Sequence, residues 1–134
     1  MNLVPVVRHM LLCDDVQADP LNPHKVNILG LISSVFPQQG ADYPLCAPEF
    51  CVFIQASGAR GTVALQVLVE DPETERIIFE GDPHPVEFGH DPLMVRGIYF
   101  RVRNCVFPKP GLYWVGIRFD GRPLCKQPLV AKER

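Results

Sequence analysis

Asp82, His84, Glu87, His90 and Asp91 crowd the stretch from Gly81 to Pro92. Imidazoles and carboxylates at this density can ligate a divalent metal or act as a general acid–base pair. His84, His90 and Asp91 are therefore the metal-binding alternative for this chain. Zinc ligands usually stand two to five residues apart, and His84 and His90 have five residues between them on a stretch kinked by Pro83 and Pro85. The plainer reading is a solvated turn, where Asp and His tolerate irregular backbone. Cys46 and Cys51 form a second pair, with four residues between them and no further cysteine pair to complete a metal site. A nucleophilic thiol there would need a neighbouring base and a lowered pKa, so structural cysteine is the better account. Asp14, Asp15 and Asp19 lack the alternating spacing that converges oxygens on calcium, and read as a solvated strand end.

The fourth candidate is a surface. Tyr99, Arg101, Arg103, Leu112, Trp114 and Arg118 occupy the polar phase of two alternating stretches. If those stretches pair across the turn Pro108-Lys109-Pro110-Gly111, the six side chains share one face. Tryptophan and tyrosine ringed by arginine is the composition of interface hot spots. The plainer version is arginine stems covering Trp114 on an ordinary sheet face. Tyr99, Arg101, Arg103, Trp114 and Arg118 are thus the expected binding residues, with edge strands offering a further route to a partner or to self-association.

Strands must position all of these. Apolar runs recur near Val4–Asp14, Lys25–Ser33, Phe50–Ser57, Thr62–Glu70, Arg76–Glu80, Val95–Asn104, Leu112–Phe119 and Leu124–Val130, each bounded by Pro, Gly, Asp or Asn. Val63, Leu65, Val67 and Val69 fall on one face of their stretch with Thr62, Ala64, Gln66 and Glu70 on the other, and Tyr113, Val115, Ile117 and Phe119 alternate with Leu112, Trp114, Gly116 and Arg118. Period-2 alternation means one buried and one solvated face, as in antiparallel sheets. Fourteen prolines in 134 residues, scattered rather than clustered, leave little room for long helices. Asp120-Gly121 predicts a tight type I′ hairpin. Gly58–Gly61, Asp71–Glu75 and Pro108–Gly111 read as further turns between neighbouring strands, whereas Ser34–Pro48 and Gly81–Leu93 read as crossings between sheets. The expected fold is an all-β, two-sheet antiparallel sandwich of about eight strands, immunoglobulin-like, in one domain over residues 1–134.

The bulk composition narrows the function classes. Thirteen basic against fifteen acidic residues, with no run of like charge, disfavour nucleic acid, whose binders carry a basic excess. Arg8 and His9 interrupt the first apolar run before it reaches signal-peptide length, and no stretch approaches a membrane span. The expected location is the cytoplasm, with five cysteines read mostly as reduced thiols and Cys13, Cys51 and Cys125 as buried ones. No nucleophile elbow, phosphate-binding glycine loop, dinucleotide fingerprint or H-E-x-x-H stands in the chain, and no cofactor is expected.

Three stretches carry a resemblance: Val6–Cys13 followed by Lys25–Ile32, then Pro48–Gln55, then Asp91–Gly97. On them the chain resembles a family of bacterial proteins that bears only a domain-of-unknown-function label. That resemblance implies a bacterial, stand-alone β-sandwich and transfers no active site. Pro110–Gly121 also looks like the last hairpin of immunoglobulin-like repeats, an analogy of fold alone. The expected function is a binding or scaffolding module for a protein partner or a second copy, with the small metal-dependent enzyme as the alternative.

Overall fold

Alternating strands become sheets once each apolar side has something to cover it. The computed structural model describes residues 4–38 and 40–133, which form strands and no helix. The strands are β1 (Val6–Ala18), β2 (Val26–Leu31), β3 (Ser34–Val35), β4 (Leu45–Ser57), β5 (Thr62–Asp71), β6 (Arg76–Glu80), β7 (His84–Glu87), β8 (Arg96–Phe107), β9 (Gly111–Phe119) and β10 (Arg122–Ala131). One sheet runs β2-β1-β4-β8 and the other β3-β10-β9-β5-β6, with β7 also on β5. β3 pairs β10 in parallel, and the other pairings are antiparallel. Between the sheets lies the main core. Met10 and Leu12 of β1, Val52 and Ile54 of β4, and Phe100 and Val102 of β8 face Leu65 and Val67 of β5 and Tyr113, Val115 and Ile117 of β9.

The all-β, two-sheet sandwich expected from the alternation is the observed architecture. Its extra strands, β3 and β7, are short and sit inside the two connections read as inter-sheet crossings. Asp120 (φ 51°) and Gly121 (φ 75°) make the tight β9–β10 turn, because a type I′ turn needs positive φ at both positions. Asp71–Glu75 links the antiparallel pair β5 and β6 as a hairpin.

Two turns are corrected. Gly58–Gly61 and Pro108–Gly111 do not join paired neighbours; each carries the chain from one sheet to the other, since β4 and β8 lie in the first sheet and β5 and β9 in the second. The reason at the second corner is visible in its side chains. Phe107 and Tyr113 meet edge-on with ring centroids 5.0 Å apart inside the sandwich, and the Tyr113 hydroxyl donates to the Lys109 carbonyl at 2.7 Å. A tyrosine bonded to backbone a few residues upstream pins a chain at a sandwich corner. Pro108 and Pro110 cannot donate to a ladder, so a continued hairpin would lose bonds there.

The alternation of β8 also breaks where the backbone rotates. Phe100 and Val102 point into the core, and so do Cys105 and Phe107, three residues further on. Asn104, with φ 56°, supplies the rotation in a left-handed conformation that Asn tolerates better than most residues. Arg101 and Arg103, on the other phase, are left on the outside of the sheet.

Candidate functional site

The His/Asp cluster is taken apart by its own secondary structure. His84 and Glu87 belong to β7, opposite Leu65 and Thr62 of β5. Phe88 then plunges into the core and Gly89, with φ 75°, turns the chain out again, so His90 and Asp91 emerge in a separate loop. The His84 ring meets Phe100 edge-on at 6.3 Å. Glu87 accepts bonds from the Thr62 hydroxyl at 2.6 Å and the Gly89 N–H at 2.8 Å, and the Thr62 bond holds its carboxyl below the usual range. Asp91 caps the Leu93 N–H at 2.9 Å. Among the described residues no three His, Cys, Asp or Glu side chains gather where an ion could sit. The metal-binding alternative on His84, His90 and Asp91 is therefore not assembled.

The cysteines divide by burial. Cys46 is exposed and Cys51 is fully buried, five residues along one strand, roughly 16 Å at about 3.3 Å per residue. Cys13 lies directly opposite Cys51 across β1 and β4 and is equally buried. Burial pushes the thiols of Cys13 and Cys125 up to about 11 and that of Cys105 up to about 12. Burial raises Cys51 too, although the Arg101 guanidinium beside it pulls the other way. These four thiols stay protonated at neutral pH, the opposite of what a nucleophile needs. Cys125 is half-buried rather than buried as expected, and Cys105, not singled out in the sequence, is fully buried.

The acidic stretch is likewise spent on separate partners. Asp15 accepts from Arg101 at 2.9 Å, and Asp19 accepts from the Leu21 N–H at 2.9 Å and faces Lys25 at 3.8 Å.

The predicted aromatic–arginine face splits in two. Because β8 and β9 enter different sheets, Tyr99, Arg101 and Arg103 lie on the outside of the first sheet, and Leu112, Trp114 and Arg118 on the outside of the second. The shared face across Pro108–Gly111 does not exist. On the first sheet, Arg101 donates to Asp15 of β1 and stands 3.5 Å from the Cys51 sulfur and 3.9 Å from Glu49 of β4. Arg103 donates to Glu49 at 2.9 Å. The Arg101 guanidinium also lies 5.4 Å from the centroid of the Tyr99 ring. The hydrogen bond from Arg101 holds the Asp15 carboxyl below its ordinary range. Beneath this network a second, smaller apolar cluster forms from Cys13, Val16, Cys51 and Phe53, with Ile28 against it. Cys51 and Phe53 alternate along β4 with Val52 and Ile54 of the main core, so this cluster belongs to the outer face.

The second sheet presents a groove instead. Gly116 sits on β9 between Trp114 and Arg118, level with Leu68 on β5 and Lys126 on β10. A notch of about 370 Å³ lies beside Gly116, lined by Leu68, Glu70, Trp114, Arg118, Leu124 and Lys126 among others. Leu68 is buried at its wall, and the Lys126 ammonium lies 4.2 Å over the Trp114 ring. Among the described residues neither Arg118 nor Lys126 has a carboxylate within 4.0 Å. Leu68, Gly116, Leu124 and Lys126 were not among the expected site residues. One signal was in the sequence: a glycine inside a strongly alternating strand marks a place where something approaches the backbone closely. The rest required the register of three strands.

Fold and surface together define a two-sheet β-sandwich with a cationic, tryptophan-walled groove on one outer face. The chain belongs to the family of unknown function DUF6941, whose model matches residues 8–132. No curated protein matches it. Among solved structures it is similar to the Pseudomonas fluorescens alkylpurine DNA glycosylase AlkC bound to DNA containing an abasic site analog, with TM-score 0.53, 8% identity, and 96% of this chain and 30% of that one covered. It is also similar to a β-glucosidase from Listeria innocua, with TM-score 0.53, 10% identity, and 94% and 16% covered. A β-D-glucoside glucohydrolase from Trichoderma reesei gives TM-score 0.50, 10% identity, and 97% and 19% covered. The chain thus spans less than a third of each of these proteins, and at such identity the likeness is one of fold alone. No helix among the described residues is long and apolar enough to cross a membrane.

Proposed function

We propose that this protein is a binding module whose groove between Trp114 and Arg118 receives an extended segment of a protein partner. The observation that carries the reading is the Gly116 notch. It combines an apolar floor and wall with two cations that have no carboxylate within 4.0 Å among the described residues, Glu70 lining the notch without pairing with either. An apolar side chain seated over Gly116, next to an acidic residue facing Arg118 or Lys126, matches that chemistry. The gain comes from desolvating Leu68 and Trp114 and from charge-assisted bonds to the cations. Aromatic and arginine side chains around a small pocket are also where binding energy concentrates at interfaces.

Trp114 is the only tryptophan, so its fluorescence reports on the groove directly. A random peptide library displayed on phage and selected against the intact protein is expected to enrich sequences with an apolar residue flanked by Asp or Glu. Synthetic copies of those peptides should shift the Trp114 emission. Gly116→Val, which places a branched side chain in the notch, and Arg118→Ala should each weaken them at least tenfold. Selection that enriches nothing, or enriches peptides that bind Gly116→Val as tightly as the parent, overturns the reading.

A further inference from the structure

A sheet ends in strands whose outer N–H and C=O groups lack a neighbour, and proteins blunt such edges with charge, proline, bulges or brevity. Most of the edges here carry such a device. β8 bears Arg96, Arg101 and Arg103 and is rotated at Asn104. β6 has five residues with a register shift opposite Val69 and Glu70, and β7 contains Pro85. β3 is two residues long. β2 differs. Val26-Asn27-Ile28-Leu29-Gly30-Leu31 has no charge and no proline, and its one irregularity is Gly30, with φ 65°, next to its end. Ile28 is half-buried and the other five residues of the strand are exposed, Leu29 and Leu31 by 42% and 67%.

The pairing of β2 with β1 shows which backbone groups are free. The Asp19 N–H donates to the Lys25 carbonyl at 2.9 Å, and hydrogen-bonded pairs alternate along an antiparallel ladder. Asn27 and Leu29 therefore bond towards β1, and Val26 and Ile28 turn their N–H and C=O groups to the open edge.

We propose that β2 pairs antiparallel with β2 of a second copy, about a two-fold axis at Asn27, joining two four-stranded sheets into one. In this register Val26 of each copy lies opposite Ile28 of the other, and these are the residues with free backbone groups. Asn27 meets Asn27, and Lys25 lies opposite Leu29. The charges favour this occupant. The strand brings none of its own, and Lys25, already beside Asp19 at 3.8 Å, faces leucine rather than lysine. A parallel arrangement would instead set Lys25 against Lys25. A single strand pair is a small interface, so the dimer is weak and concentration-dependent.

Sedimentation of the full chain from micromolar to millimolar concentration is expected to show a monomer–dimer equilibrium. Hydrogen exchange should show the Val26 and Ile28 amides gaining protection as the dimer forms, with the Asn27 amide unchanged. The register makes a charge-specific demand. Leu29→Lys creates two like-charge pairs with Lys25, and Leu29→Glu two opposite-charge pairs at the same positions, so the Glu variant should dimerise roughly tenfold more tightly than the Lys variant. Lys25→Glu combined with Leu29→Lys should restore association. Leu29 is exposed, so both variants keep the fold, and circular dichroism melts verify this. A chain that stays monomeric throughout overturns the proposal. So does equal association of the Lys and Glu variants, or a dimer that leaves Val26 and Ile28 unprotected.

Discussion

The two outer faces of the sandwich carry the same kinds of residue and use them differently. On the β1–β4–β8 side, Arg101 and Arg103 are consumed by Asp15 and Glu49, and a buried apolar cluster lies beneath them. On the β10–β9–β5 side, Arg118 and Lys126 stand beside a notch, neither with a carboxylate within 4.0 Å among the described residues. A cation whose partner is already in the fold is part of the structure, whereas one left beside an apolar pocket is available to a ligand. Aromatic–arginine composition alone does not separate the two cases; cross-strand neighbours do.

The contrast breaks most clearly in stability. Phe53, 5% exposed, is the largest member of the outer cluster, and Phe53→Ala should cost about 3–5 kcal/mol in denaturant unfolding. Half-buried Trp114, truncated to Ala on the opposite face, should cost less than Phe53→Ala while abolishing binding of selected peptides. Equal losses from the two substitutions would erase the distinction between a structural and a binding face.

A smaller effect appears with pH. The Arg101 bond holds the Asp15 carboxyl below its ordinary value near 3.9, so the folded state binds that proton less readily than the unfolded chain. The stabilisation is therefore complete above roughly pH 4 and fades as pH falls through the depressed folded value. Arg101→Met should lower the melting temperature at neutral pH and flatten its acid dependence, while Arg118→Met should leave both unchanged. A parallel acid profile for Arg101→Met and the parent would remove Asp15–Arg101 from the account.

The smallest effect concerns reactivity. A thiol-specific reagent under native conditions should label Cys46 first and leave Cys13, Cys51 and Cys105 until the protein unfolds. Mass spectrometry of the labelled peptides gives the order. Early modification of Cys51 would mean that the cluster under Arg101 opens readily.

Much of this molecule was legible residue by residue, because strand alternation and turn chemistry are local. Val63, Leu65, Val67 and Val69 declare their shared face by spacing, and Asp120-Gly121 declares its turn by the positive φ it needs. Trp114 and Arg118 were identified as surface residues for the same reason. The partners were not legible. Lys109-Pro110 reads equally well as a hairpin turn or a corner, and only the packing of Tyr113 on Phe107 decides between them. That one decision sends Tyr99 and Trp114 to opposite sides of the protein. The His/Asp stretch is divided on similar grounds, since Phe88 is drawn into a core that no local pattern around it announces.

By itself, then, the sequence determined an all-β chain, the phase of its main strands and the hairpin at its end, because these depend on neighbours two residues away. The tertiary structure alone decided which strands share a sheet, which arginines are neutralised and where a groove lies beside Gly116. Those outcomes depend on cross-strand register and on the hand-over of β8 and β9 between layers, contacts between residues distant in the chain, which spacing within one segment does not encode.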